Sequence, residues 1–481
     1  MKDDGNIMEQ SKAADAPANG GVPRRDFLKQ MTGGALVASS AMAMSASSYA
    51  RVVGANDRIR LAQLGCGGRA TGHIRMAHMA SSRTPVEVVA VCDIWNLAAN
   101  RGASEVHSLF GTEPRKYKYS EQMLTSDDID GVMISTGDHQ HAKLCQEVVE
   151  AGKDCYVEKP FANVLEEAKA CRAAVHASKQ VVQMGTQHRS QPYPLAVRDL
   201  IRAGRIGDVV RITQEWNVNQ PRWRYIPGVD DGKNPTLLKE ADTDWKRWLL
   251  GKADRPFDPH MYLEFRLYRD FSAGIFDQWL SHGCDLVHLW TDETYPLSAV
   301  ATAGALVWKD GRENPDNATV SLTYPKGFLY TYSTCFGNSY RSFSRIQGRL
   351  GTIENYGGEG ASLFMVTREG GPHEFDPADN ARPRYTAPPG MGPESDQAEF
   401  VRVAGAPPAD SLGPNDDDVN HLMNWLNAMR DRKQPNANVD HGFSHSIVCI
   451  MAAESYWSGK RLWWDPKAEL IVDHSPETPR A

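Results

Sequence analysis

The chain has 481 residues, 41% of them hydrophobic and 23% charged, with a formal net charge of −7. Once an N-terminal segment of roughly 50 residues is set aside, the remainder is long enough for two domains of ordinary size. The acidic balance and the lack of a basic stripe interleaved with aromatics argue against nucleic-acid binding, and no run approaches the roughly 20 apolar residues of a membrane span.

The first element is Arg24-Arg25-Asp26-Phe27-Leu28-Lys29, followed by a modestly apolar stretch, Thr32 to Ala46, that ends near Ser48-Tyr49-Ala50. The stretch is short and rich in Gly, Ser and Ala, which suits a cleaved signal better than a membrane anchor. Residues 1–50 therefore read as a twin-arginine signal with cleavage near Ala50. That predicts an exported, periplasmic protein and the twin-arginine machinery as a partner; the alternative is a disordered basic tail. Eight cysteines (Cys66, Cys92, Cys145, Cys155, Cys171, Cys284, Cys335 and Cys449) show no CxxC spacing. Twin-arginine substrates fold before export, so buried free thiols are expected, with no zinc site.

From Asp57 onward, short apolar runs alternate with helical stretches, the pattern of βαβ units around a parallel sheet. Strands are predicted at Ile59 to Leu64, Val86 to Val91, Gly131 to Ser135, Asp154 to Val157 and Val181 to Gly185. Helices are predicted at His73 to Ala80, Leu97 to Phe110, Ala142 to Ala151 and Leu165 to Ala177. After residue 186 the character changes. Strand-like stretches come at Asp208 to Trp216, Leu297 to Trp308, Ala318 to Tyr324, Phe328 to Cys335 and Ser344 to Ile346. Helices come at Tyr193 to Ala203 and near Leu280 to Trp290. The region Asn355 to Gly413, rich in Gly, Pro and charge, reads as surface loops. Helices at Asp418 to Arg430 and Phe443 to Ser458 close the chain. The expected fold is α/β: an N-terminal Rossmann domain (51–186) followed by an α+β domain (187–470) with an open, mostly antiparallel sheet. Packing of the terminal helices back onto the Rossmann domain is left open.

Gly65-Cys66-Gly67-Gly68-Arg69-Ala70 follows the first strand and precedes a helix. Glycines in such a turn let backbone N–H groups approach a pyrophosphate, and the helix N-terminus faces the phosphates. Gly65, Gly67 and Ala70 fill the three fingerprint positions. Asp93, at the end of the second strand, offers a carboxylate to the ribose hydroxyls and repels a 2′-phosphate, so NAD is favoured over NADP. Glu158-Lys159-Pro160 directly follows the strand Asp154 to Val157, so Lys159 stands at a carboxyl strand end, where the crevice of such a sheet lies. His282 and Asp285, at i, i+3 on the helix near Leu280, share a face, and a histidine beside a sugar hydroxyl suits general base work. Trp216, Trp223, Tyr225, Trp245, Trp248 and Trp279 are concentrated in one third of the chain, and one or two are expected to line a pocket. His441 and His445 at i, i+4 lack a third metal ligand and read as one helix face.

Taken together, these segments resemble the glucose–fructose oxidoreductase / inositol dehydrogenase family (Gfo/Idh/MocA). The resemblance runs over nearly the whole chain after the signal. It includes Ser135-Thr136 with His141 following, Glu158-Lys159-Pro160, Met184-Gly185-Thr186-Gln187-His188-Arg189, Gly204-Arg205-Ile206-Gly207, Asp244 to Leu249, the His282 to Asp285 segment and Gly348-Arg349-Leu350-Gly351-Thr352. It implies that Lys159 orients the substrate hydroxyl and that His282 is the acid/base. It further implies a cofactor held by Gly65, Gly67, Gly68, Arg69, Ala70, Asp93, Thr136, His141 and Glu158. A sugar or polyol would meet Gln187, Arg189, Gln278 and Asp285, and a homo-oligomer is expected. One position departs from the family: Gln278 stands four residues before His282, where its dehydrogenases commonly carry Asp, and Asp277 lies one residue earlier.

Export adds a constraint, because no nicotinamide pool exists outside the cytoplasm. The leading expectation is an exported NAD-dependent oxidoreductase of sugars, polyols or glycosides with a retained cofactor. The alternative is a redox-neutral glycosidase, running through oxidation, elimination, hydration and reduction, with Asp277 or Tyr193 as a further base. A non-catalytic sugar or nucleotide sensor is a second alternative, prompted only by Gln278.

Overall fold

Apolar runs bounded by turns become strands that are buried on both faces, and these build the first half of the molecule. The computed structural model describes residues 57–219, 238–340, 342–355, 363–368, 399–402 and 416–476. The Arg24-Arg25 signal with its cleavage near Ala50 lies outside the described residues, as do Trp223, Tyr225 and most of the 355–413 region.

In chain order the first half comprises β1 (Ile59–Leu64), α1 (Gly68–Ser81), β2 (Val86–Cys92), α2 (Asn96–Phe110), β3 (Arg115–Tyr117), α3 (Ser120–Leu124), β4 (Gly131–Ile134), α4 (His141–Glu150), β5 (Asp154–Val157), α5 (Leu165–Ala177) and β6 (Val182–Met184). Among the described residues these strands form a six-stranded parallel sheet in the order β3-β2-β1-β4-β5-β6. Alternate strand residues feed two separate cores: Leu61, Val88, Met133 and Tyr156 enter one, Ala62, Val132 and Ile134 the other. Burial on both faces explains the near-continuous apolar runs in the sequence. β1 pairs with β2 on one side and β4 on the other, so the strand order reverses there and a crevice opens beyond their carboxyl ends.

The second half comprises α6 (Pro192–Arg202), β7 (Val209–Asn217), α7 (Trp245–Leu249), α8 (Pro259–Leu263), α9 (Ser281–Thr291), β8 (Ser298–Gly304), β9 (Asn317–Thr323), β10 (Leu329–Cys335), β11 (Phe343–Gly348), β12 (Gly351–Asn355), β13 (Leu363–Arg368), β14 (Glu399–Arg402), α10 (Asp416–Asp431), α11 (Val439–Ser458), β15 (Leu462–Asp465) and β16 (Leu470–Val472). Its strands form a ten-stranded sheet in the order β14-β13-β12-β11-β7-β10-β9-β8-β15-β16, antiparallel except for the β7–β10 pair. Along β10, Tyr330, Tyr332 and Thr334 are buried while the residues between them are at least partly exposed, so one face is covered and the other open. Helix α9 packs on both α6 and α11, and α11 lies against β8. Helix α10 returns to the first sheet, where Leu422, Trp425 and Leu426 enter the same core as Leu61 and Tyr156.

Several elements differ from the pattern-based expectation. Helix α1 begins at Gly68, not His73, because the glycine turn itself supplies the first helical turn. Strands β3, β12, β15 and β16 lie where no strand is expected, being short pieces without clear periodicity. β13 and β14 lie in the stretch expected to be loops. The hairpin β11–β12 turns at Gly348-Arg349-Leu350-Gly351; a Cβ on Gly348 would sit 2.1 Å from the Ile206 carbonyl oxygen, so only glycine fits there. All eight cysteines are free thiols, and all but Cys335 are buried. His441 accepts from the Asn438 N–H at 3.1 Å and His445 from the Phe161 N–H at 3.4 Å, so both serve local structure.

Candidate active site

The β1–α1 turn is shaped by its first glycine. Gly65 has φ +81°, and a Cβ there would lie 2.7 Å from Thr136 Cγ2 and 2.9 Å from the Ser135 carbonyl group. The turn thus lies directly against the β4–α4 turn, and Gln63 ties the two by donating to Gly65 O at 3.0 Å and Ser135 Oγ at 2.9 Å. Gly67 and Gly68 face open space, with no atom within 4 Å of a Cβ built on either. Gly67 caps α1 without a side-chain hydrogen bond, and the first turn of α1 holds no acidic residue. An amino-terminal helix end in that state attracts an anion. Asp93 follows β2; its carboxylate accepts from Cys66 N–H at 2.7 Å and Trp95 N–H at 2.8 Å, and burial pushes its pKa up. Thr136 Oγ1 is buried without a hydrogen-bond partner. These features fit a dinucleotide: a cradle closed to side chains, an uncapped helix end, a carboxylate and an unsatisfied hydroxyl.

A cleft of about 970 Å³ runs from this turn to Gln278 and to His282 at the start of α9. Gly65, Gly67, Gly68, Arg69, Asp93, Thr136, His141, Glu158, Lys159, Gln187, Gln278 and His282 all line it. Ala70, Arg189 and Asp285 do not. Ala70 is buried in the first turn of α1. Arg189 Nε donates to both Asp285 oxygens, at 2.8 and 2.9 Å, and both side chains are buried. The expectation that Arg189 and Asp285 face a substrate is not met by their placement, because each satisfies the other's charge behind the cleft wall.

Lys159, at the carboxyl end of β5 and followed by a cis peptide bond to Pro160, donates to the Gln278 main-chain carbonyl at 2.8 Å and to Gln278 Oε1 at 3.2 Å. Gln278 lies in a π-helical turn, Phe276–Leu280, that leads directly into α9. Its Nε2 donates to Asp138 Oδ2 at 2.6 Å, and Ser272 Oγ donates to the same oxygen at 2.7 Å. Asp138 escaped the sequence reading although it follows β4 at the carboxyl edge of the sheet, because nothing local connects it to position 278. Glu158 is the hub of a second cluster, accepting from Arg69 Nε at 2.6 Å, with His73 Nε2 at 2.9 Å. Burial alone would raise the Glu158 carboxyl, but Arg69 and His73 outweigh it and hold it well below the usual carboxylate range. A Cβ on Gly185 would sit 2.8 Å from the Glu158 carboxyl carbon, so glycine there makes room for the cluster.

His282 opens α9 and faces the cleft, with its Nδ1 unpartnered. Burial first, and then the charge of Lys159, push its pKa well below the ordinary histidine value, so the imidazole is neutral near pH 7 and able to accept a proton. It also borders a small cavity of about 40 Å³ together with Tyr193, Trp216 and Tyr332. Trp216 and Trp279 stack at 4.8 Å beside it; Trp248 lines the large cleft, and Trp245 stacks on Trp248 at 5.0 Å in an aromatic core away from the lining. Tyr193 Oη bonds His188 at 3.3 Å. Asp277 is fully buried and outside the cleft lining; burial, and then Asp138, push its carboxyl up to about 8. Among the described residues no group of three or more His, Cys, Asp or Glu is arranged to hold a metal ion, and no helix is long and apolar enough to cross a membrane.

Residues 59–186 match the Gfo/Idh/MocA model, described as an oxidoreductase family with an NAD-binding Rossmann fold. Inositol 2-dehydrogenase of Rhizobium meliloti (strain 1021) is 32% identical over 198 residues, which cover 40% of this chain and 56% of that protein. A glycosyl hydrolase family 109 protein of Shewanella baltica (strain OS185) is 27% identical over 223 residues, covering 42% of this chain and 47% of the relative. The chain thus spans about half the length of these relatives. Among solved structures, the WlbA dehydrogenase of Bordetella pertussis in complex with NADH and UDP-GlcNAcA shares the fold, with a TM-score of 0.58 at 16% identity over 85% of this chain and 99% of that one.

Proposed function

We propose, from the premise that residues 59–186 are an NAD-binding Rossmann domain of the Gfo/Idh/MocA oxidoreductase family, that this protein oxidises or reduces a carbohydrate hydroxyl at Lys159 and His282. The observation that carries the proposal is that both side chains line the same cleft as the glycine turn. The backbone at Gly65, Gly67 and Gly68, the Thr136 hydroxyl and the Asp93 carboxylate are the groups that would hold the dinucleotide. When bound, that cofactor supplies the hydride acceptor or donor. Lys159, anchored by two bonds to Gln278, holds the reacting oxygen. Neutral His282 takes the hydroxyl proton in the oxidative direction and returns it in the reductive one. Asp93 supports NAD over NADP through repulsion of a 2′-phosphate.

The Arg24-Arg25 segment supports export to the periplasm through the twin-arginine route, and with it a cofactor retained through the cycle. The test is to purify the exported form, look for co-purifying nicotinamide and follow its absorbance while sugars, polyols and aryl glycosides are added. Cofactor that dissociates freely, with turnover only on added NAD, would sink retention. No nicotinamide binding at all would sink the oxidoreductase. Assembly into a homo-oligomer through the open face of the ten-stranded sheet belongs to the same proposal and is tested by light scattering.

A redox-neutral glycosidase is the second reading, favoured by the glycosyl hydrolase family 109 relative and by Tyr193 beside His282 in the small cavity. Oxidation of a sugar hydroxyl would acidify the neighbouring C–H, the aglycone would leave, water would add and the ketone would be reduced back. Aglycone release without net reduction of the nicotinamide selects this outcome. Asp277 is poorly placed for the extra base, being buried away from the cleft.

A further inference from the structure

We propose that Asp138 is a positioning residue for Lys159 and acts on it through the Gln278 side-chain amide. The inference rests on the reading of Lys159 as the group that holds the reacting oxygen. Asp138 is 1% exposed, and its Oδ2 receives hydrogen bonds from Gln278 Nε2 at 2.6 Å and Ser272 Oγ at 2.7 Å. The other end of the same amide, Gln278 Oε1, receives Lys159 Nζ at 3.2 Å.

The polarity of this chain is set by chemistry. An ionised carboxylate only accepts and an ammonium only donates, whereas a primary amide has one end of each kind. With Asp138 on one side, Gln278 must offer its NH₂ there and its carbonyl to Lys159. A second carboxylate at 278 would face the first at hydrogen-bond distance. The site therefore has room for one negative charge, at 138 or at 278, and this chain places it at 138. Gln278 is then not a defect in the lysine centre; it is the neutral link that Asp138 requires.

Other charged and titratable groups surround the relay. Glu158 precedes Lys159 in its own turn, while Asp277 and His282 face it from the π turn and α9. His445 and Cys449 face it from α11. Asp138 itself faces Arg266 Nη2 at 3.6 Å, and His139 and His141 on its own turn. All of these are unchanged in the variants below, so differences among those variants report the Asp138–Gln278 link.

The test uses the full purified chain and needs no substrate. Lys159 reactivity toward acetic anhydride is followed against pH by mass spectrometry of its peptide, in the wild type, Asp138→Asn, Gln278→Glu and the double variant. Thermal melts accompany each. Loss of the carboxylate in D138N should bring the onset of Lys159 labelling down by about 1 pH unit, since an opposite charge favours the ammonium. Moving the charge in D138N/Q278E should return it to the wild-type pH. Q278E alone should melt below the wild type, with D138N/Q278E melting above it, a non-additive rescue. If D138N does not fold, Gln278→Met removes the amide through which Asp138 reaches Lys159 and should also move the onset of labelling to lower pH, by a smaller step because the Asp138 charge stays in place. A wild-type labelling profile in D138N or Gln278→Met, or a double variant that melts no higher than Q278E, would overturn the proposal. The labelling shift and rescue without turnover on any sugar would uphold the relay and remove the proposed activity; turnover with no shift would do the reverse.

Discussion

The two walls of the cleft are built on opposite principles. The wall at the glycine turn is made of backbone: Gly65 with φ +81°, open space above Gly67 and Gly68, and a helix end without a side-chain cap. The opposite wall is made of side chains, half-buried Lys159 and His282 and buried Gln278, with Asp138 behind Gln278, drawn from three separate parts of the chain. A backbone wall tolerates exchange of most nearby side chains but no added Cβ at Gly65. A side-chain wall does the reverse, since each group depends on a specific partner for its charge state.

The largest expected effect is on chemistry. His282→Ala and Lys159→Ala should each lower turnover by roughly 100-fold or more, the usual weight of a positioned acid/base or orienting group. Nicotinamide binding, followed by fluorescence titration, should change little, because the cofactor cradle lies on the other wall. Equal losses of binding and turnover would dissolve the distinction between the walls.

Next comes Arg189→Ala. It strands Asp285 as a buried charge, and should cost about 3–5 kcal/mol in urea unfolding. A small stability loss with a large rise in KM would instead restore Arg189 and Asp285 as substrate ligands. Gly65→Ala should cost about 1–2 kcal/mol for the left-handed backbone alone, plus overlap with Thr136, and should weaken nicotinamide binding more than it slows bound-state turnover.

The smallest effect concerns Asp277, whose carboxyl is pushed up to about 8 by burial and then by Asp138. The folded state keeps a proton that the unfolded chain releases, so this residue's contribution to stability falls as pH rises from its ordinary value near 3.8 to about 8. Asp277→Asn retains the acceptor for Ala273 N–H and removes that loss. Its melting temperature should exceed the wild type's by more at pH 9 than at pH 5. An unchanged difference would show that Asp277 does not carry the proton.

How far the sequence could be read follows the same division. The strands of the parallel sheet were legible because burial on both faces leaves continuous apolar runs, and the turn after β1 because only glycine permits its geometry. Lys159 and His282 were singled out from a strand end and a helix face, and both line the cleft. The missed strands β3, β12, β15 and β16 are short, and β13 and β14 lie in a Gly- and Pro-rich region that looks like loop.

Local pattern also failed where a residue's partner is far away in the chain. Arg189 and Asp285 look like exposed binding groups until the fold places them against each other. Asp138 carries no signal in its own neighbourhood, yet it meets Gln278 across 140 residues of sequence. Period and turn chemistry are properties of neighbouring residues, so the amino-acid sequence by itself determined the parallel sheet, the cofactor turn and the type of group offered by Lys159 and His282. Charge pairing depends on through-space distance and burial, so only the tertiary structure decided which carboxylate serves the lysine, which one is held by Arg189, and that His282 is neutral.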